Sequence, residues 1–127
     1  MKILVVDDER AVQALFQQWF EDDIESGLFD FDFVFCAEEA LEYIKDGKNT
    51  GVVLILSDIN MPGMNGLELL RILKEKFKEI AVVMITAYGD DYNIGTAKKY
   101  GANDFITKPI DFPVLKNKLE KYINGTQ

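Results

Sequence analysis

The chain has 127 residues, of which 48% are hydrophobic and 28% charged, and its formal net charge is −8. That length fits one domain with its own core, and the composition is that of a globular protein. The acidity and the lack of a basic cluster argue against direct nucleic-acid binding, no apolar run approaches the ~20 residues of a membrane span, and one cysteine, Cys36, excludes an intramolecular disulfide.

Ile3-Leu4-Val5-Val6 is a continuously apolar strand running into Asp7-Asp8. A helix is expected over residues 10–23, where Val12, Leu15, Phe16, Trp19 and Phe20 follow i, i+3, i+4, i+7, i+8 spacing and form one buried stripe. Trp19 reads as a packing residue. Phe29, Phe31, Phe33 and Phe35 then alternate with Asp30, Asp32 and Val34, which predicts a half-exposed strand at the edge of a sheet. That strand ends at Cys36, a small buried hydrophobe by expectation.

A second helix is predicted over residues 37–46, burying Ala37, Ala40, Leu41 and Ile44 and stopping at Gly47. Residues 52–56 form an apolar strand into Ser57-Asp58, followed by the Pro/Gly-rich turn Ile59-Asn60-Met61-Pro62-Gly63-Met64-Asn65-Gly66. A third helix opens at Asn65, an N-cap with Glu68 three residues on, and carries Leu67, Leu69, Leu70, Ile72, Leu73 and Phe77. Residues 81–85 form a strand into Thr86-Ala87. The fourth helix, over residues 91–100, is weakly patterned and contains Gly95. Asp104-Phe105-Ile106 leads into Thr107-Lys108-Pro109, and the fifth helix starts after Asp111 with Phe112, Leu115, Leu119 and Ile123 inward.

Apolar runs thus alternate with helical periods five times, the pattern of a parallel sheet wrapped by helices. The continuously apolar first and third strands belong inside the sheet and the second at its edge. No repeat, low-complexity segment or linker interrupts the chain. Met1-Lys2-Ile3 offers no secretory signal, so a cytoplasmic location is expected.

In a parallel sheet the strand ends converge on one edge. Asp7, Asp8, Asp58, Thr86 and Lys108 would then share a pocket of three carboxylates, a hydroxyl and an ammonium. Each residue has an ordinary alternative: Asp8 as a helix N-cap, Asp58 as a turn residue, Thr86 as a strand residue and Lys108 as a loop residue. Together they describe phosphoryl transfer, with a divalent cation among the carboxylates and a carboxylate nucleophile. The peptide before Pro109 is a favourable place for a cis bond.

With these residues in hand, the chain resembles the receiver domain of two-component response regulators. The matching elements are Val5-Val6-Asp7-Asp8-Glu9, residues 57–66, Ile85-Thr86-Ala87 and Thr107-Lys108-Pro109. The resemblance implies a flavodoxin-like, doubly wound α/β fold: a five-stranded parallel sheet in order 2-1-3-4-5, flanked by five helices. The receiver domain would occupy residues 1–124, leaving 125–127 as a short tail. The resemblance further implies Asp58 as phosphoacceptor, with Mg²⁺ (or Mn²⁺) held by Asp7, Asp8, Asp58 and the Asn60 carbonyl. Thr86 and Phe105 match the switch positions, phenylalanine standing where many members have tyrosine. Lys108 matches the phosphoryl-pairing lysine, and Asn60 and Tyr88 flank the site where phosphoryl lifetime is tuned.

The implied partners are a sensor histidine kinase or histidine phosphotransfer protein upstream, and a protein partner or an output domain downstream. The latter would read the face made by the fourth helix, fifth strand and fifth helix. No direct nucleic-acid binding and no membrane insertion are expected. Competing readings fit less well. Aspartate-nucleophile phosphatases carry Asp-x-Asp after the first strand, where this chain has Asp7-Asp8. A flavodoxin would need a hydroxyl- and glycine-rich loop there. The full acid, threonine and lysine set argues against a degenerate docking module.

Overall fold

The computed structural model describes residues 1–45 and 51–123; the expected stop of the second helix at Gly47 and the tail lie outside them. Five strands, β1 (Lys2–Val6), β2 (Asp30–Val34), β3 (Val52–Asp58), β4 (Ala81–Ala87) and β5 (Asp104–Lys108), form one parallel sheet in the order β2-β1-β3-β4-β5. The helices among the described residues are α1 (Ala11–Trp19), α2 (Glu21–Glu25), α3 (Ala37–Lys45), α4 (Gly66–Lys76), α5 (Asp91–Lys99) and α6 (Phe112–Glu120). The edge placement of the second strand and the interior placement of the first and third are as expected.

Six helices replace the five expected, because the first is broken at Phe20, whose φ of −98° and ψ of 17° leave the helical region. Hydrogen bonds Phe20 N to Phe16 O and Ile24 N to Phe20 O carry the helical rise through the break. The apolar spacing 12, 16, 20, 24 therefore continues unbroken in the sequence. The piece beyond, α2, begins with Glu21, Asp22 and Asp23, three acids at the positive end of a helix dipole.

The predicted stripe on α1 is also narrower than expected. Val12, Phe16 and Phe20 are buried, while Leu15 and Trp19 are 51% and 43% exposed. Trp19 does pack, but at the surface, stacked on Phe112 of α6 with ring centres 5.5 Å apart. Cys36 lies two residues past the end of β2 and is half-buried, not in the core. Ile123, expected inward, is 37% exposed.

The sheet separates two cores, as alternation along each strand requires. On one face Leu4, Val6, Ile55, Val82 and Met84 meet the apolar residues of α3 and α4, with Ala97 of α5. On the other, Ile3, Val5, Leu54, Leu56, Val83 and Ile85 meet Val12, Phe16 and Phe20, with Leu115 and Leu119 of α6. Helix starts follow the expected chemistry. The Asn65 side chain accepts from Glu68 N at 3.0 Å, and Asp111 accepts from Val114 N at 3.1 Å. Of the residues of α5, only Ala97 is buried, in keeping with its weak pattern.

Candidate functional site

The sheet order makes the chain leave β1 toward β2 on one side and return to β3 on the other. The connections leaving β1 and β3 run to opposite faces of the sheet at that switch, leaving a crevice between them. Asp7 follows β1 directly and Asp58 is the last residue of β3, so the crevice is lined by carboxylates. One oxygen from each of Asp7, Asp8 and Asp58 lies within 4.8 Å of the others. Asp7 and Asp58 are only 3% and 4% exposed, whereas Asp8 is exposed. Asp8 does not cap α1: the N-cap position is Arg10, which makes no side-chain cap bond.

Lys108, the last residue of β5, reaches into this cluster. Its Nζ lies 3.2 Å from Asp58 Oδ2, 3.4 Å from Asp7 Oδ2 and 3.4 Å from Glu9 Oε1. The Lys108–Pro109 peptide is cis. Asp7 Oδ1 accepts from Glu9 N at 2.9 Å, and Asp58 Oδ1 accepts a long bond from Asn60 N at 3.4 Å. Asp7 Oδ2 is close to the ammonium yet accepts no hydrogen bond, a buried oxygen left without a donor.

Burial pushes the Asp58 carboxyl above its ordinary value, and the Asp7 charge adds to that; Lys108 and the Asn60 N–H oppose. Burial does the same to Asp7 against the Glu9 N–H and Lys108. For Lys108, burial acts to lower the pKa, but the Asp58 and Asp7 charges outweigh it and the net direction is upward. A crowded, partly desolvated acid pair with one cation and one unpartnered oxygen has room for a hard dication among its oxygens. The residues present fit such an ion.

Thr86, on β4, is fully buried, and its Oγ1 also lacks a partner. Phe105 is half-buried against the α3/α4 core. The register pairs Met84 with Phe105 and Thr86 with Thr107, so Thr86 and Phe105 stand diagonally on one face of adjacent strands. Tyr88 is 84% exposed and Asn60 is exposed beside Asp58. All the residues expected at the site are therefore at the carboxyl edge except Phe105, which lies three residues before Lys108 along β5.

Three contacts were not expected from the sequence. Glu9 reaches Lys108, although its place directly after Asp7-Asp8 is a visible signal. The Glu38 carboxylate accepts from Met64 N at 3.4 Å, tying α3 to the loop after Asp58, a long-range contact that no local pattern announces. Gly66, read only as a loop-shaping residue, packs against the Asp58 backbone: a Cβ there would stand 2.1 Å from the Asp58 carbonyl oxygen.

The family model of the response regulator receiver domain matches residues 3–120. The chain belongs to that family. As a receiver domain it is 36% identical over 123 residues to chemotaxis protein CheY1 of Helicobacter pylori, covering 94% of each chain. It is 34% identical to chemotaxis protein CheY of Pseudomonas aeruginosa, covering 98% of this chain and 100% of the relative. Among solved structures, the receiver domain of NtrX from Brucella abortus superposes with a TM-score of 0.82 at 32% identity, covering 98% of this receiver and 99% of the other. The Francisella response regulator 1452 receiver domain gives 0.84 at 26% identity, with 99% and 98% covered.

Proposed function

We propose that this receiver domain, spanning residues 1–124, is a phosphorylation-activated signalling switch whose phosphoacceptor is Asp58. The observation that carries the reading is the buried Asp7–Asp58 pair bridged by Lys108, with a donorless Asp7 oxygen and a partnerless Thr86 hydroxyl beside it. Asp7, Asp8, Asp58 and the Asn60 carbonyl would hold the Mg²⁺ or Mn²⁺. When bound, that ion offsets the negative charge on the transferring phosphoryl oxygens.

The remaining steps belong to the chain's own residues. An Asp58 carboxylate oxygen attacks phosphorus, and the bond from phosphorus to the donor's leaving group breaks, giving an acyl phosphate. Lys108 exchanges its contact with Asp58 for one with a phosphoryl oxygen. The Thr86 hydroxyl turns to donate to another, and Phe105 fills the space vacated on the same face. The α5, β5 and α6 face then changes its surface, a population shift biased by local charge.

The protein assists its own phosphorylation and dephosphorylation and is not an enzyme acting on other substrates. Its donor is a histidine kinase or a histidine phosphotransfer protein, and its output is read by a protein partner. A groove of about 250 Å³ lined by Val12, Leu15, Pro109, Ile110 and Phe112 lies next to Lys108 and supports a protein donor. The proposed setting is the cytoplasm; no helix among the described residues is long and apolar enough to cross a membrane.

The test is intact mass after incubation with Mg²⁺ and acetyl phosphate. A gain of one phosphoryl group is expected in wild type, and none in Asp58→Asn or in EDTA. A gain that persists in Asp58→Asn would move the acceptor elsewhere and end this reading.

A further inference from the structure

The phenylalanine at position 105 has no hydroxyl with which to anchor itself, yet its ring has a neighbour of another kind. The Nζ of Lys98, on α5, lies over the Phe105 ring, 5.1 Å from its centre. The lysine is exposed, while the ring is half-buried against the core beside Ala97, the one buried residue of α5. A cation over an aromatic face is attracted by the ring quadrupole, and at an exposed site this is a modest effect that can still bias a near-balanced equilibrium. The contact joins α5 to β5 at the residue diagonal to Thr86, whose buried hydroxyl has no partner.

We propose that Lys98 is a positioning residue for Phe105, an electrostatic latch that holds the ring in its half-buried position and opposes its move toward Thr86. The latch rests on the switch reading above. In that reading the ring moves inward when the acyl phosphate draws Thr86 over, so the ring must leave the ammonium. Binding that requires the inward state is weakened in proportion to how rarely that state is populated. Removing the Lys98 charge therefore tightens such binding, and restoring a cation at the same place restores the latch. Lys99, the next residue and also exposed, serves as control.

Two measurements on the full chain test this. In the metal-free protein, the Lys98 Hε protons should show an upfield ring-current shift by NMR that disappears in Phe105→Leu; absence of the shift in wild type overturns the latch. Titration with beryllofluoride and Mg²⁺, a non-covalent phosphoryl mimic, should give an apparent affinity about two- to fivefold tighter in Lys98→Met. Lys98→Arg and Lys99→Met should stay at the wild-type value. Binding that is intact but equal in Lys98→Met and wild type overturns the latch alone. If wild type binds no beryllofluoride, the receiver-switch reading fails and the latch falls with it.

Discussion

Gly66 and the carbonyl of Asp58 are in such close approach that any side chain at position 66 would occupy the place of the Asp58 oxygen. The same glycine donates its N–H to Ile59 O at 2.8 Å, and Asn65 before it caps α4. The α4 start is thereby joined to the end of β3 at Asp58 itself, the proposed acceptor. Adding one methyl group must push backbone against backbone, which no rotamer change relieves. Gly66→Ala should cost about 3 kcal/mol in urea unfolding and weaken metal binding by displacing Asp58. Unchanged stability in that variant would contradict the close approach.

The buried acid pair makes a prediction about acidity. The folded-state pKa of Asp58 lies above the ordinary carboxyl value of 3.8, chiefly because the group is buried. A raised carboxyl contributes stability that is fully present below that value and is lost as pH rises through the folded pKa. At neutral pH, without metal, Asp58→Asn should be more stable than wild type and melt at a higher temperature. The advantage should vanish below pH 3.8 and shrink when Mg²⁺ stabilises the wild type by binding its folded form. Melting curves across pH, with and without EDTA, read this directly; a less stable variant at neutral pH without metal would refute it.

Lys108 offsets two buried carboxylates at once, and its pKa is raised on balance from 10.5. Its side chain is 28% exposed, so water shares the task. Lys108→Met should therefore cost about 1–2 kcal/mol near neutral pH, less than a fully buried pair would. The difference from wild type should close as pH rises from 10.5 through the higher folded-state pKa of the ammonium. Phosphorylation by acetyl phosphate should slow by roughly tenfold or more, because a charge aimed at the transferring group is gone. An unchanged rate in a folded variant would remove Lys108 from the chemistry.

Tyr88 stands almost free in solvent, two residues beyond Thr86. Folded over Asp58, its ring would keep water from the proposed acyl phosphate. Tyr88→Ala should then shorten the phosphoryl lifetime severalfold while leaving stability within about 0.5 kcal/mol. Loss of label from the purified phosphoprotein measures this, and equal lifetimes would show that the ring shields nothing.

The strand ends were legible because they combine two patterns that do not depend on distant partners. Continuous apolar runs mark interior strands, and a charged or hydroxyl residue at the end of each marks the rim. The alternating phenylalanines placed β2 at the edge for the same reason. What escaped was set by geometry between elements. The break at Phe20 keeps the helical spacing of its apolar residues, so periodicity cannot see it. Leu15 and Trp19 lie outward because α1 meets the sheet through one row of side chains, and a stripe's width depends on what packs against it. The Glu38 contact to the Asp58 loop crosses 26 residues of chain and leaves no local trace. The unpartnered oxygens of Asp7 and Thr86 exist only once the fold has closed around them.

The face-to-face contact of Trp19 with Phe112 has a practical consequence. Trp19 is the chain's single tryptophan, and it spans α1 and the start of α6, four positions past Lys108. Its emission belongs to one place in the molecule, so no dye or engineered fluorophore is needed to watch that place. Any tilt of α6 against α1 changes the stacking and with it the quantum yield, so the protein carries its own optical gauge where the chain leaves Lys108 for α6.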